Sequence, residues 1–508
     1  MSVDPTTSVD TTWIDACAAF GREHGVATDE IVGVLGAFDA PFPRGGPPPP
    51  PEQPWAASFE ALERAVCATP IVDALVDDLA IDVDRGQAEL FARRVLAVDA
   101  FLAAHGDPIA RLLRVGLRHR LAGILAATRP HATRVRALAD FYYSHGCRHR
   151  HRIGATAGLP ELVDAVAGLR WRAVCDGLEH AEIDGRFAGG PTHVNLLRVD
   201  PRRIELEVAD LREQAHAGVP FATSVANAGA IAATSGGFFL YSEPDIAAPS
   251  RRHDPVGLVV RGGEVVAPPV FARGALWLDA DGGAALERIG LTDVTARSAR
   301  GWVRTLDRAS QRAHAERGPD APSFAVVGRT VVAVGVRLPI PLNGFVVMRD
   351  GLEVEVGDVL TYAIDRRPAL HSAIAGGPML VESGAPVLAL RREDFWGSAP
   401  PVTFSQDETG DQNLLPRLGV GLRDGALVFA AVDGRNLDRA LGMTLGELAR
   451  LFVALGCERA VNLDGGSSKR VLVEGQTLDL PSTEVVGEAA LDPSVRPVYS
   501  AILMRPRR

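Results

Sequence analysis

Near residue 185 the hydrophobic pattern of the chain changes period, and this change limits what the chain can fold into. Before it, Phe91, Val95, Val98 and Leu102 recur at spacings of three and four, the mark of one buried helical face. After it, Ile204, Leu206 and Val208 alternate with Glu205 and Glu207, as a half-buried strand does. A 3.6-residue period and a 2-residue period bury different faces, so the two parts are expected to fold differently. The reading is α+β: a small all-α domain followed by a larger domain of mixed or antiparallel sheet with covering helices. The expected divisions are 1–54, a helical segment and linker; 55–180, the helical domain; and 181–508, the sheet domain.

Local signals fill in this outline. Short helices are expected at Trp13–Phe20 and Thr28–Phe38, followed by a proline-rich spacer through Pro47–Pro51. Asp107-Pro108 supplies an N-cap and a first-turn proline for a helix carrying Ile109, Leu113, Leu117, Leu121 and Ile124. His145, His149 and His151 alternate with arginines, which reads as a solvated basic turn rather than a cation site. In the second part, turn glycines at Arg261-Gly262-Gly263, Arg349-Asp350-Gly351, Glu382-Ser383-Gly384 and Arg423-Asp424-Gly425 mark hairpins. Helices are expected at 208–217, 297–316 and 444–455, the last opening on the capping box Thr444-Leu445-Gly446-Glu447.

Composition narrows the function classes. A net charge of −10 over 508 residues argues against a general nucleic-acid or anionic-membrane binder. No stretch reaches ~18 uninterrupted apolar residues, and Met1–Thr6 opens no secretory signal, so a cytoplasmic location is expected. The five cysteines, Cys17, Cys67, Cys147, Cys175 and Cys457, are scattered, which excludes a disulfide framework and a zinc ribbon. Of the 53 lysines and arginines, Lys469 alone is lysine. An ammonium retained where arginine otherwise replaces lysine points to a compact charge that guanidinium cannot supply.

That lysine closes the most distinctive loop. Ala460-Val461-Asn462-Leu463 reads as a buried strand running into Asp464-Gly465-Gly466-Ser467-Ser468-Lys469. Paired glycines bring backbone N–H groups close to a ligand oxyanion, and the hydroxyls and ammonium add donors. Asp464 would repel a phosphate unless paired, so it binds sugar hydroxyls or a metal, or acts as base or nucleophile. Two further glycine loops are Ser235-Gly236-Gly237-Phe238-Phe239 and Ile374-Ala375-Gly376-Gly377-Pro378, the latter preceded by His371. A fourth segment runs from Pro416-Arg417-Leu418-Gly419 through a hairpin to Asp433-Gly434-Arg435, whose arginines suit a phosphate.

Together and in this order, these segments resemble the phosphodiester glycosidase family. That family shows an N-G-G-F-F loop, a G-G-P-x-L loop, a P-R-T-x-x-G strand, a D-G-R segment and an N-L-D-G-G-G-S-S loop. This chain departs from it at Ser235 for Asn, at Leu418 for Thr and at Ser467 for the third glycine. The resemblance implies hydrolysis of a glycosyl-1-phosphodiester to free sugar and a phosphomonoester, on a small-molecule substrate and with no required cofactor. On it, Asp464, Asp433, Lys469 and Arg417 are the catalytic candidates. Arg417, Lys469 and the Gly465-Gly466 amides would hold phosphate. Ser235, Gly236, Gly237, His371, Gly376, Gly377, Arg435, Asn462, Ser467 and Ser468 would line the rest of the pocket. Asp464, Asn462 and Asp433 are also oxygen donors of the kind calcium or magnesium takes, at no diagnostic spacing. Two other uses of the pocket remain open: a cytosolic tailoring enzyme acting on a small phosphodiester or glycoside, and a non-catalytic binder of phosphorylated sugars. The helical third lies outside the resemblance and suits partner docking, homodimerisation or a lid.

Overall fold

A computed structural model describes residues 12–39, 58–80, 85, 88–89, 92, 99, 102–103, 106–127, 158–187, 190–241, 246, 248–388, 390–395, 415–434, 440, 442–480 and 496–507. Phe91, Val95 and Val98, the proline run, the histidines at 145–151 and Arg435 lie outside the described residues.

The first helices are α1 (Thr12–Glu23), α2 (Thr28–Asp39), α3 (Phe59–Ala68), α4 (Val72–Leu79) and α5 (Pro108–Ala127). Asp107 caps α5 by accepting from Ile109 N at 2.8 Å and Ala110 N at 3.3 Å. Ile109, Leu113, Leu117 and Leu121 sit in one buried cluster with Trp13, Phe20, Phe59, Leu62 and Leu75. Each fully buried Leu or Phe contributes about 1.5–3 kcal/mol, which holds these helices together. Among the described residues no helix is long and apolar enough to cross a membrane.

The sheet part begins earlier than the expected 181. Helix α6 (Gly158–Ala167) already packs on it through Leu162, and β1 (Arg172–Cys175) is its first strand. The further strands that position the site are β2 (Leu178–Phe187), β3 (Gly190–Val199), β4 (Ile204–Asp210), β5 (Ala232–Ser235), β6 (Arg273–Asp279), β7 (Leu370–Ala375), β8 (Met379–Glu382), β9 (Arg417–Arg423), β10 (Ala426–Val432), β11 (Arg459–Leu463), β12 (Val471–Val473) and β13 (Ser500–Pro506). An eight-stranded sheet runs β1-β2-β3-β10-β9-β11-β8 and ends on Ala385–Pro386. A five-stranded sheet runs from Gln476–Thr477 through β12-β5-β13-β4. A second five-stranded sheet contains β7 and β6, and two smaller sheets lie between residues 295 and 363. Every described pairing is antiparallel, for instance β9 with β10 from Arg417↔Val432 to Arg423↔Ala426. Antiparallel sheets with a few helices make the fold α+β.

Alternation decides which side of the eight-stranded sheet each residue faces. Leu197, Leu418, Phe429, Ala431 and Leu463 face inward onto Ala232, Val471 and Ile502 of the five-stranded sheet. Val194, Leu196, Ala430, Val432 and Ala460 face outward onto α6 and onto α7 (Leu445–Ala454). Helix α7 carries the expected capping box, with Glu447 N donating to Thr444 Oγ1 and Thr444 N to Glu447 Oε2. The hairpins at 262–263, 383–384 and 424–425 form; the turn at 349–351 forms without a paired strand after it.

One helical expectation fails and a second holds only in part. Residues 297–316 hold the strands Val303–Thr305 and Ser310–Gln311. The apolar spacing there is helical, but pairing of Thr295–Ser298 with both Val303–Thr305 and Leu360–Ala363 overrides it. At 208–217, β4 continues to Asp210 along β13, leaving only Arg212–His216 as helix.

Candidate active site

The sheet topology collects the sequence motifs at one edge. Strand β9 lies between β10 and β11 and runs antiparallel to both, so β10 and β11 end together, two strand spacings or about 10 Å apart. Asp433 follows β10, Asp464 follows β11, and Arg417 opens β9 at that same edge. Gly376-Gly377-Pro378 enters β8 there, and β5 delivers Ser235-Gly236 to it. Asp464 N donates to Gly236 O at 3.2 Å. Gly377 N donates to Asn462 O at 2.7 Å, and Asn462 Nδ2 donates to Gly377 O at 2.9 Å. Gly466 N donates to Pro416 O at 2.8 Å. Glycine is required where these loops touch: a Cβ on Gly376 would lie 2.2 Å from Asn462 O, and one on Gly465 2.7 Å from Pro416 O.

The register then separates residues expected to share one wall. Arg417 pairs with Val432, so it stands on the outward face with α7, and its Nε donates to Met443 O at 3.0 Å. Asp433 continues the inward face of Ala431. Arg417 and Asp433 therefore lie on opposite sides of the sheet.

Lys469 is not on the wall of an open cleft. It is fully buried, and its ammonium contacts the carboxylates of Asp433, also fully buried, and Asp479, the latter at 3.2 Å. Asp433 Oδ2 further accepts from Leu480 N at 3.1 Å, and Asp479 Oδ1 from Val471 N at 2.8 Å. Arg470 Nη1 lies 3.8 Å from Asp479. Burial pushes the Asp433 carboxyl above the usual range, against the pull of Lys469. The reading of Lys469 as a phosphate contact changes accordingly: its ammonium is held by two carboxylates. The ammonium also occupies the position a cation would take between those carboxylates. Among the described residues, no three His, Cys, Asp or Glu side chains gather as metal ligands.

Other assignments change too. The Gly466 amide, expected to hold phosphate, is committed to Pro416 O. Ser235 is buried, and its Oγ accepts from Arg470 N at 3.0 Å, so it pins the strand after Lys469. Ser467 and Ser468 are buried within the short turn Gly466–Ser468. Gly236 and Gly237 pack against Ser500, Ile374 and Ala375. His371 lies near the start of β7, five residues and about 16 Å of strand from Gly376. It therefore stands at the far end of the sheet. Of the four catalytic candidates, Asp464 alone is partly exposed. Beside it, Asn462 Oδ1 is buried with no hydrogen-bond partner among the described residues.

Residues 341–504 match the phosphodiester glycosidase family. The matched stretch holds Gly376-Gly377, Arg417, Asp433 and Asn462–Lys469, whereas Ser235–Gly237 lie before it. The SPbeta prophage-derived uncharacterized protein YomE of Bacillus subtilis (strain 168) is 45% identical over 81 residues. That alignment spans 16% of this chain and 12% of the relative. Among solved structures, a hypothetical protein from Synechocystis is 20% identical at a TM-score of 0.45, covering 67% of this chain and 64% of that one. The catalytic domain of zebrafish N-acetylglucosamine-1-phosphodiester alpha-N-acetylglucosaminidase, auto-inhibited by its pro-peptide, is 13% identical at a TM-score of 0.38, covering 67% and 84%.

Three further residues at this edge of the sheet were not singled out by motif. Asp479 is the second carboxylate on Lys469, His193 stands beside Asp433, and Glu393 lies under Gly377. Only His193 left a legible trace: His193 and Asn195 are polar on the strand face that Leu197 and Val199 continue as apolar core. Glu393 is fully buried and accepts from Met379 N at 2.7 Å, Gly274 N at 2.8 Å and Arg288 Nε at 2.9 Å.

Proposed function

We propose that the protein is a hydrolase that cleaves a glycosyl phosphodiester to a free sugar and a phosphomonoester. The observation carrying this reading is the placement of Asp464. It is the partly exposed carboxylate at the point where five sequence-distant loops touch, next to Asn462 Oδ1, an acceptor with no partner among the described residues. A buried acceptor without a donor is costly unless a ligand or water supplies one, and a sugar hydroxyl does so.

In such a cleavage the phosphomonoester leaves as a stabilised anion, so little acid assistance is needed. Asp464 then acts on the sugar side, as base, nucleophile or stabiliser of positive charge developing at the anomeric carbon. Asp433 is not a second substrate carboxylate in this scheme, because Lys469 and Asp479 enclose it. The cluster instead anchors the strand that follows the Asp464 loop. The Gly376-Gly377 loop holds Asn462 in place by the reciprocal backbone and amide bonds.

The test is release of sugar and phosphomonoester from a panel of glycosyl phosphodiesters. Asp464→Asn is expected to lower kcat about 100-fold or more, the range for loss of a positioned acid–base group. Turnover equal to wild type removes Asp464 from the chemistry. Tight binding of a sugar phosphate by the wild type, with no turnover of any diester, makes the protein a binder instead.

A further inference from the structure

Asp433 and His193 form a direct cross-strand pair. Val432 pairs with Val194, and one step further Asp433 N donates to His193 O at 2.9 Å. Both side chains thus stand on the inward face at the end of the ladder, with His193 Nε2 3.8 Å from Asp433 Oδ2. The next strand continues the row: Asp184 pairs with His193, and its Oδ1 lies 3.9 Å from His193 Nδ1. The row therefore runs Asp184, His193, Asp433 across three strands, and then to Lys469.

Exposure falls steeply along it. The Asp184 side chain is 82% exposed, that of His193 17%, and those of Asp433 and Lys469 0%. Asp479 and Arg470, behind the ammonium, are as deeply buried. The imidazole is thus the cluster's group with a side towards solvent. A second chain of polar groups sets its tautomer. His180 Nε2 lies 3.0 Å from Asn195 Oδ1, and Asn195 Nδ2 lies 3.4 Å from His193 Nε2. With Asn195 donating, Nε2 of a neutral His193 carries the lone pair and Nδ1 the proton, directed towards Asp184. Glu182, which pairs with Asn195, lies 3.8 Å from His180 Nε2.

We propose that His193 is a positioning residue that exchanges a proton with Asp433 and so sets the charge of the buried Asp433–Lys469–Asp479 cluster. When Asp433 is protonated, its proton passes to His193 Nε2: the O–H bond breaks, the N–H bond forms, and a carboxylate faces an imidazolium. The Nδ1 proton then leaves to water at the Asp184 side, which leaves a neutral ring protonated at Nε2; proton uptake at Nδ1 and return of the Nε2 proton to Asp433 restore the starting tautomer. Closing 3.8 Å to hydrogen-bond distance takes a shift of about 1 Å, within ordinary side-chain motion. The charge on Asp433 sets how firmly Lys469 is held, and Lys469 ends the loop that begins at Asp464. The consequence for catalysis rests on the proposed function; the coupling of His193 to Asp433 itself does not.

The experiment uses the full chain and follows the Asp433 carboxyl by carbon-13 NMR, its signal assigned by loss in Asp433→Asn. His193→Gln and His193→Asn are expected to move the Asp433 midpoint by about one pH unit. In the sugar-release assay they lower kcat about tenfold with KM within about twofold, and they shift the limb of the pH profile that follows Asp433. Added imidazole restores turnover to His193→Gly, which a merely structural role would not allow. An unmoved midpoint in both variants overturns the proposal, as does loss of turnover with an unaltered pH profile and no imidazole rescue. A moved midpoint in a protein that cleaves no diester upholds the coupling of His193 to Asp433 and retires the hydrolase reading instead.

Discussion

Asp433 and Glu393 are both fully buried carboxylates beneath glycine-bearing loops, and burial pushes both above the usual range. Their partners differ in kind. Glu393 is held by two backbone amides and by Arg288, none of which changes charge in the working pH range. Its carboxylate ties β6 to the start of β8 and so fixes the Gly376-Gly377 loop between them. Asp433 has one backbone amide, an ammonium shared with Asp479 and an imidazole across the strand. A carboxylate pinned by fixed donors is a brace. A carboxylate among groups that themselves titrate can change its charge without losing its place.

Matched isosteric substitutions break or sharpen this contrast. Glu393→Gln turns one acceptor oxygen into a donor facing Met379 N, Gly274 N or Arg288. It is expected to cost about 3–5 kcal/mol, the range for breaking a buried ion pair. Asp433→Asn can keep its oxygen on Lys469, and its amide, beside His193 Nε2, takes the place of the Oδ2 that accepts from Leu480 N, so one backbone hydrogen bond is lost. Its expected cost is about 1–3 kcal/mol. Urea unfolding at neutral pH measures both. Equal costs would erase the distinction between brace and charge-changing site.

The two glycine loops extend the comparison at a smaller scale. Gly376 is buried, and its Cβ would meet Asn462 O at 2.2 Å with the braced loop unable to give way. Gly376→Ala is expected to cost about 3 kcal/mol, the upper part of the overpacking range. Gly465 is partly exposed with a looser 2.7 Å approach to Pro416 O. Gly465→Ala is expected to cost about 1 kcal/mol, with its effect showing instead in sugar release. Melting curves and the turnover assay separate the two. Equal stability losses would mean the Gly376 loop is not braced.

How much of this was legible in the sequence follows from what carries each contact. The hairpin turns and the α7 capping box are local and stood out. So did the set of loops, because glycine pairs are needed wherever two backbones meet. The face each residue presents was not legible, because it depends on register. Arg417 and Asp433 look like neighbours across a hairpin, yet the Arg417↔Val432 pairing sends them to opposite sides. Lys469 was conspicuous for its rarity, but its two carboxylate partners come from Asp433, 36 residues before it, and Asp479, ten residues after it. Nothing local marks Glu393, whose donors arrive from strands 14 and 119 residues away. The helix expected at 297–316 failed for the same reason: a distant strand, Leu360–Ala363, decided its conformation.

The smallest expected effect is on the pH dependence of stability. A carboxyl whose folded value lies above its unfolded one, near 3.9 for Asp and 4.3 for Glu, binds its proton more tightly in the native state. Its contribution is fully present below the unfolded value and is lost as pH rises through the folded one. Asp433 and Glu393 both carry this sign. An amide stays neutral throughout, so Asp433→Asn removes that loss. The stability of the variant relative to wild type should therefore rise with pH above about 4, by at most ~1.4 kcal/mol per pH unit, and level off past the folded value of Asp433. Melting temperatures of the two proteins across pH 4 to 8 give the difference directly. If the His193 imidazole shares a proton with Asp433, measuring the same difference in a His193→Gln background moves the pH at which it levels off, whereas the corresponding difference between Glu393→Gln and wild type keeps its window. A difference that does not vary with pH would show that Asp433 is ionised in both states, and would place it with the fixed charges rather than apart from them.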